Sequence, residues 1–83
     1  MADAIILDVT GYRCPLPVIR MEAALRRMAP GEALIVRADD PIAALDIPHF
    51  CREAGHDARR QPDEDEAGRT VCVFLVTRGA NPA

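Results

Sequence analysis

The sequence predicts an α+β two-layer sandwich: a four-stranded mixed sheet with two helices on one face. Three observations lead to it. Short runs rich in Val, Ile and Leu alternate with helix-spaced segments in the order β-α-β-α-β-β. Crossovers between parallel strands are right-handed by strong preference, so two successive βαβ units put both helices on one side of the sheet. The last two strands are separated by a short polar turn, which closes them as a hairpin. The 83 residues make one domain, 1–83, with no internal repeat or linker.

The first strand spans Ala4 to Val9, an apolar run with β-branched residues that ends in Thr10-Gly11. The first helix opens at Cys14-Pro15, because a proline at the first helical position loses no hydrogen bond. Val18, Met21, Leu25 and Met28 then recur at helical spacing, and Pro30-Gly31 stops the helix. Ala33 to Ala38 is the second strand. Asp39-Asp40-Pro41 reads as an N-cap followed by a first-turn proline. The second helix runs from there to about Ala54, with Pro48 expected to kink or restart it and Asp46 available as a second cap. Gly55 closes it. His56 to Arg60 is a weak strand, followed by an acidic turn at about 63–68. Thr70 to Thr77 is the clearest strand, and 79–83 reads as a frayed tail.

Composition narrows the function. The only aromatics are Tyr12, Phe50 and Phe74, so the core rests on aliphatic residues and Met. A chain this short buries only roughly 60–65% of its unfolded surface, which argues against a deep substrate cavity. The net charge is −3 and every basic residue is Arg. That balance argues against direct nucleic-acid binding, which needs a basic footprint. Ile5-Ile6-Leu7 is too short for a signal peptide or a membrane span, so the expectation is a cytoplasmic protein. Cys14, Cys51 and Cys72 are odd in number and widely spaced, which fits neither a disulfide framework nor a zinc or Cys-x-x-Cys pair. No metal or cofactor is expected.

Cys14 is the residue that points to chemistry. At the N-cap position it faces the unpaired N–H groups and the positive end of the first helix, both of which favour a thiolate. Arg13 and Arg20 are candidates for supporting that thiolate or for docking a partner. Pro15 and Pro17 remove two N–H donors but stiffen the junction and present the cysteine outward. Thiolates attack persulfide and disulfide sulfurs by exchange. The bland alternative is a structural cysteine buried at a turn.

Asp8-Val9-Thr10-Gly11-Tyr12-Arg13-Cys14-Pro15-Leu16-Pro17 resembles the signature of the TusA-like (SirA-like) sulfur-carrier family: an Asp, a Gly three residues later, then Cys-Pro-x-Pro opening the first helix. A second stretch agrees, with Asp39-Asp40-Pro41, Asp46-Ile47-Pro48, Phe50-Cys51 and Gly55-His56. The resemblance runs from about Ile5 to Arg78. It implies a βαβαββ sandwich similar to the C-terminal domain of translation initiation factor three. It also implies that Cys14 takes a persulfide sulfur from a cysteine desulfurase or a rhodanese-like donor. The sulfur would pass to a downstream acceptor protein, in tRNA thiolation, molybdenum-cofactor assembly or sulfur oxidation. Such a protein is a stoichiometric carrier rather than a turnover enzyme. Asp8, Gly11, Pro15 and Pro17 match the motif as loop-shaping residues.

Other residues read more simply. Cys51 and Cys72 are core packing. His49 and His56 are surface or cap histidines, and no Cys/His set has zinc spacing. Asp39 and Asp40 cap a helix rather than form an acid–base pair. Met21 and Met28 belong to the core by periodicity. Two other functions stay open from sequence: a thiol redox sensor using Cys14, which needs a nearby resolving thiol, and a regulatory nucleic-acid-binding module.

Overall fold

The computed structural model of the chain describes residues 5–80. The elements follow the expected order: β1 (Ile5–Asp8), α1 (Leu16–Arg26), β2 (Ala33–Ala38), α2 (Pro41–Ala54), β3 (Asp57–Glu66) and β4 (Arg69–Thr77). They build a two-layer sandwich with one four-stranded mixed sheet, ordered β1-β2-β4-β3. β1 pairs with β2 in parallel, and β4 lies antiparallel to both β2 and β3. Ala4 of the expected first strand, and 81–83 of the expected tail, lie outside the described residues.

The core sits between the sheet and the helices. β2 alternates, and its buried set is Leu34, Val36 and Ala38. These are paired across the sheet with Val76, Phe74 and Cys72 of β4, so one face of both central strands is sealed. α1 buries Pro17, Met21 and Leu25, and α2 buries Ala43, Ile47 and Cys51. Each set recurs every fourth residue, which keeps it on one helical stripe. Val18, assigned to the core stripe by spacing, is only partly buried; Pro17 takes the place against the core.

Three local expectations are corrected. α2 does not restart at Pro48 but runs through it as one helix. Proline removes the hydrogen bond to the Ala44 carbonyl and costs an interior helix ~3 kcal/mol. Burial of the Ala43, Ile47 and Cys51 stripe holds the helix together across that gap. The residues expected to form an acidic turn are strand: β3 reaches Glu66, and the turn is Ala67-Gly68, with φ of 52° and 78°. Two successive positive φ values make the tight two-residue connection whose twist matches a hairpin. Pro62 and Asp63 together face Cys72 as a bulge between Gln61 and Glu64, a place where a strand tolerates proline.

The third correction is at the C-terminal end of β4, where the start of the expected frayed tail is docked. The Arg78 N–H donates to the Glu32 carbonyl at 2.9 Å, and its carbonyl accepts from the Gly31 N–H at 2.9 Å. The Arg78 guanidinium reaches the Leu25 carbonyl at 2.8 Å, at the end of α1. The Gly79 N–H donates to His56 Nδ1 at 2.9 Å. His56 is therefore buried rather than on the surface.

Candidate functional site

The segment between β1 and α1 carries Cys14, and three aspartates shape it. Asp8, the last residue of β1, accepts from the Thr10 N–H at 3.0 Å and the Thr10 hydroxyl at 2.7 Å. These bonds hold its carboxyl below the usual range, more than the Arg37 charge does. Gly11 follows at φ 85°, a conformation that side-chain-bearing residues rarely adopt. Its N–H donates to Asp39 at 2.9 Å. The Cys14 N–H donates to Asp40 Oδ2 at 2.8 Å, while Asp40 Oδ1 caps α2 by accepting from the Ile42 N–H at 3.2 Å. The capping role expected of the Asp-Asp pair thus has a second half: the same carboxylates pin the cysteine loop.

The Cys14–Pro15 peptide is cis, and the N-cap of α1 is Pro15, with no side-chain cap. Cys14 therefore stands one residue before the position expected for it. Pro15 and Pro17 both fall at the helix start, and Pro17 is buried against the core. The Cys14 side chain is exposed. Its thiol donates to Asp46 Oδ2 at 3.1 Å, across to the middle of α2. That contact raises the thiol above its ordinary range, through the hydrogen bond first, then loss of hydration and the charges of Asp46 and Asp40. A thiolate favoured by the helix start is thus not what the geometry produces, because the thiol is aimed at a carboxylate and not at free N–H groups.

The candidate arginines lie elsewhere. Arg20 places its guanidinium over the Tyr12 ring, 4.2 Å from the centroid. Arg13 lines a cleft of about 430 Å3 together with Tyr12, Asp39, Asp40 and Arg69. Neither arginine is a hydrogen-bond partner of the Cys14 sulfur. Asp46, expected only as a cap, is the residue sequence reasoning missed. Its presence in the stretch Asp46-Ile47-Pro48 was a signal, but nothing local in the sequence ties it to Cys14.

The other thiols are inert by comparison. Cys51 is buried in the core, and burial pushes its pKa up to about 11. Cys72 is buried, donates to the Ala38 carbonyl at 3.2 Å and is also raised by burial. Among the described residues no group of three or more His, Cys, Asp or Glu side chains is placed to hold a metal ion. No helix there is long and apolar enough to cross a membrane.

A family model described as sulfurtransferase TusA matches residues 5–76 of the chain. The chain belongs to the TusA family. The matched span contains the whole Cys14 loop, both helices and all but the last residue of the sheet. Among solved structures, a SirA-like protein from Desulfitobacterium hafniense is similar, with a TM-score of 0.75 and 26% identity over 90% of this chain and 97% of that one. That likeness agrees with the four-stranded sheet and two helices described above, and the two chains are of nearly the same extent.

Proposed function

We propose that the protein is a sulfur carrier that holds a persulfide on Cys14. It accepts the sulfur from a cysteine desulfurase or a rhodanese-like protein and relays it to an acceptor protein in the cytoplasm. The observation that carries this reading is the division among the cysteines: Cys14 is exposed on a pinned loop, while Cys51 and Cys72 are buried. A thiol that must meet a partner's sulfur has to be accessible. A protein-to-protein relay also suits the surroundings. Leu16 and Ile19 on α1, and Ile42 and Leu45 on α2, are exposed apolar side chains, with Leu45 at 74%. They lie on the helix that follows Cys14 and on the helix whose Asp46 meets its thiol, where a partner would bury them. The outlets in keeping with the family are tRNA thiolation, molybdenum-cofactor assembly and sulfur oxidation. A redox-sensing role is less well supported, since both remaining cysteines are buried and a resolving thiol has to be accessible to an oxidised Cys14.

The test is intact-mass measurement after incubating the reduced protein with a cysteine desulfurase and cysteine. Gain of one sulfur atom, reversed by reductant and absent in Cys14→Ser, is the expected result. No gain with a desulfurase, a rhodanese or polysulfide as donor sinks the carrier reading.

A further inference from the structure

Among the described residues, the Asp46 side chain makes no hydrogen bond or ion pair within its own helix. It sits mid-helix in α2, where aspartate is a weaker helix former than alanine by about half a kcal/mol. The residues three and four positions away are Ala43, Ile42, His49 and Phe50, so no Lys or Arg is at ion-pair spacing on its face. It takes part in none of the salt bridges among the described residues. Asp8 and Asp39, by contrast, are each paired with an arginine. The bond Asp46 makes is to the Cys14 thiol, 32 positions away in the chain. Cys14 is also tied through its N–H to Asp40 on the cap of the same helix. Backbone and side chain of Cys14 are therefore both referred to α2, and the thiol is held in a fixed direction.

We infer that Asp46 is a specificity-determining residue: its unneutralised carboxylate keeps Cys14 a protonated thiol until a partner presents a cationic side chain to α2 and releases it. This rests on the carrier reading of Cys14. The thiolate is the attacking species in sulfur exchange, so a thiol held protonated reacts slowly with whatever diffuses past. The raised thiol pKa agrees with that state. An Arg or Lys at the partner's docking face would pair with Asp46 and withdraw the acceptor from the thiol. Cys14 could then lose its proton to solvent and attack. Its sulfur bonds to the terminal sulfur of the donor persulfide, the donor's S–S bond breaks, and the donor cysteine leaves as a thiolate that takes up a proton. One persulfide and one thiol become one thiol and one persulfide. The donor cysteine sulfur is reduced as the Cys14 sulfur is oxidised, and no outside oxidant is needed.

The test compares the full chain with Asp46→Asn, which keeps the size and one acceptor oxygen while removing the charge. Two readouts are taken: the pH profile of Cys14 alkylation by iodoacetamide, and sulfur uptake from inorganic polysulfide against uptake from a cysteine desulfurase. Asp46→Asn is expected to move the alkylation profile to lower pH and to speed polysulfide loading at neutral pH several-fold. The gain is damped because a less basic thiolate is also a weaker nucleophile. Uptake from the desulfurase is expected to stay level or fall, so the preference for the protein donor shrinks. An unmoved alkylation profile overturns the proposal, as does an equal change in uptake from both donors. If the wild type takes sulfur from neither donor while the alkylation profile still shifts, the fault lies with the carrier reading, and the donor selectivity built on it is overturned although the contact of Asp46 with the thiol holds.

Discussion

Three cysteines of identical chemistry stand in different surroundings. Cys51 lies under α2 against the sheet, Cys72 donates to a β2 carbonyl, and Cys14 stands in solvent beside a carboxylate. With iodoacetamide, the native protein is expected to add one label at Cys14 and to add the other two only after unfolding in urea; intact mass reads both. Because Asp46 raises the Cys14 thiol, its alkylation rate is expected to climb at higher pH than that of an unstructured cysteine peptide. At this scale the candidate residue was legible, since Cys-Pro-x-Pro after an Asp-x-x-Gly turn is a local pattern. The electrostatic sign was not. The start of α1 carries a positive field that local sequence shows, and the carboxylate of Asp46, far away in the chain, opposes it.

The β3–β4 hairpin shows how an element can be hidden. Asp57-Ala58-Arg59-Arg60-Gln61-Pro62-Asp63-Glu64-Asp65-Glu66 has neither apolar alternation nor β propensity. It is a strand because β4 is a strong apolar template with a free edge. Ala58 adds to the core, and Arg60 lays its guanidinium 5.7 Å from the Phe74 ring centroid. On the opposite face Arg37 of β2 joins Asp8, Glu64 and Glu66 at 2.9, 3.2 and 2.6 Å, so acidic residues that repel one another share a cation. The charged, bulged, proline-bearing edge also resists pairing with another chain. Ala67 holds a left-handed conformation at φ 52° in the turn. Ala67→Gly relieves the side-chain conflict of ~1–2 kcal/mol, partly offset by the added freedom of the unfolded chain. A net gain of about 0.5–1 kcal/mol is expected, read as a higher urea midpoint with unchanged slope.

At the scale of the molecule, the end of β4 works as a strap. Arg78 and Gly79 together bond to the end of α1, the loop before β2 and His56 after α2. A Cβ added at Gly79 would stand 1.9 Å from the Gly55 carbonyl oxygen, which is backbone and cannot swing away. Gly79→Ala is expected to destabilise the fold by ~1–3 kcal/mol, the usual cost of overpacking, read by denaturant unfolding. His56 must be neutral to accept the Gly79 N–H at Nδ1, and among the described residues its buried Nε2 has no partner. Burial, then the Arg78 charge, lowers its pKa from 6.5. As pH falls, the unfolded chain therefore binds the proton first, and stability present above about pH 6.5 is lost down through the lower folded-state value. The melting temperature is expected to drop between pH 7.5 and 5.5 in the wild type, and to drop less in His56→Gln.

The features legible along the chain are those that local physics controls. Helical spacing marked Met21, Leu25 and Met28 as a buried stripe, the Asp40-Pro41 pair marked a helix start, and apolar runs rich in Val, Ile and Leu marked β2 and β4. Those signals depend on neighbours within about one turn or two strand positions. Only the tertiary structure decided that the acidic run is a strand, that α2 survives Pro48, that His56 is buried by Gly79, and that Asp46 meets the thiol of Cys14. The last two contacts join residues 23 and 32 positions apart. They exist because the sheet order lays both helices on one face and brings the start of α1 against α2, and no pattern within either segment encodes that meeting.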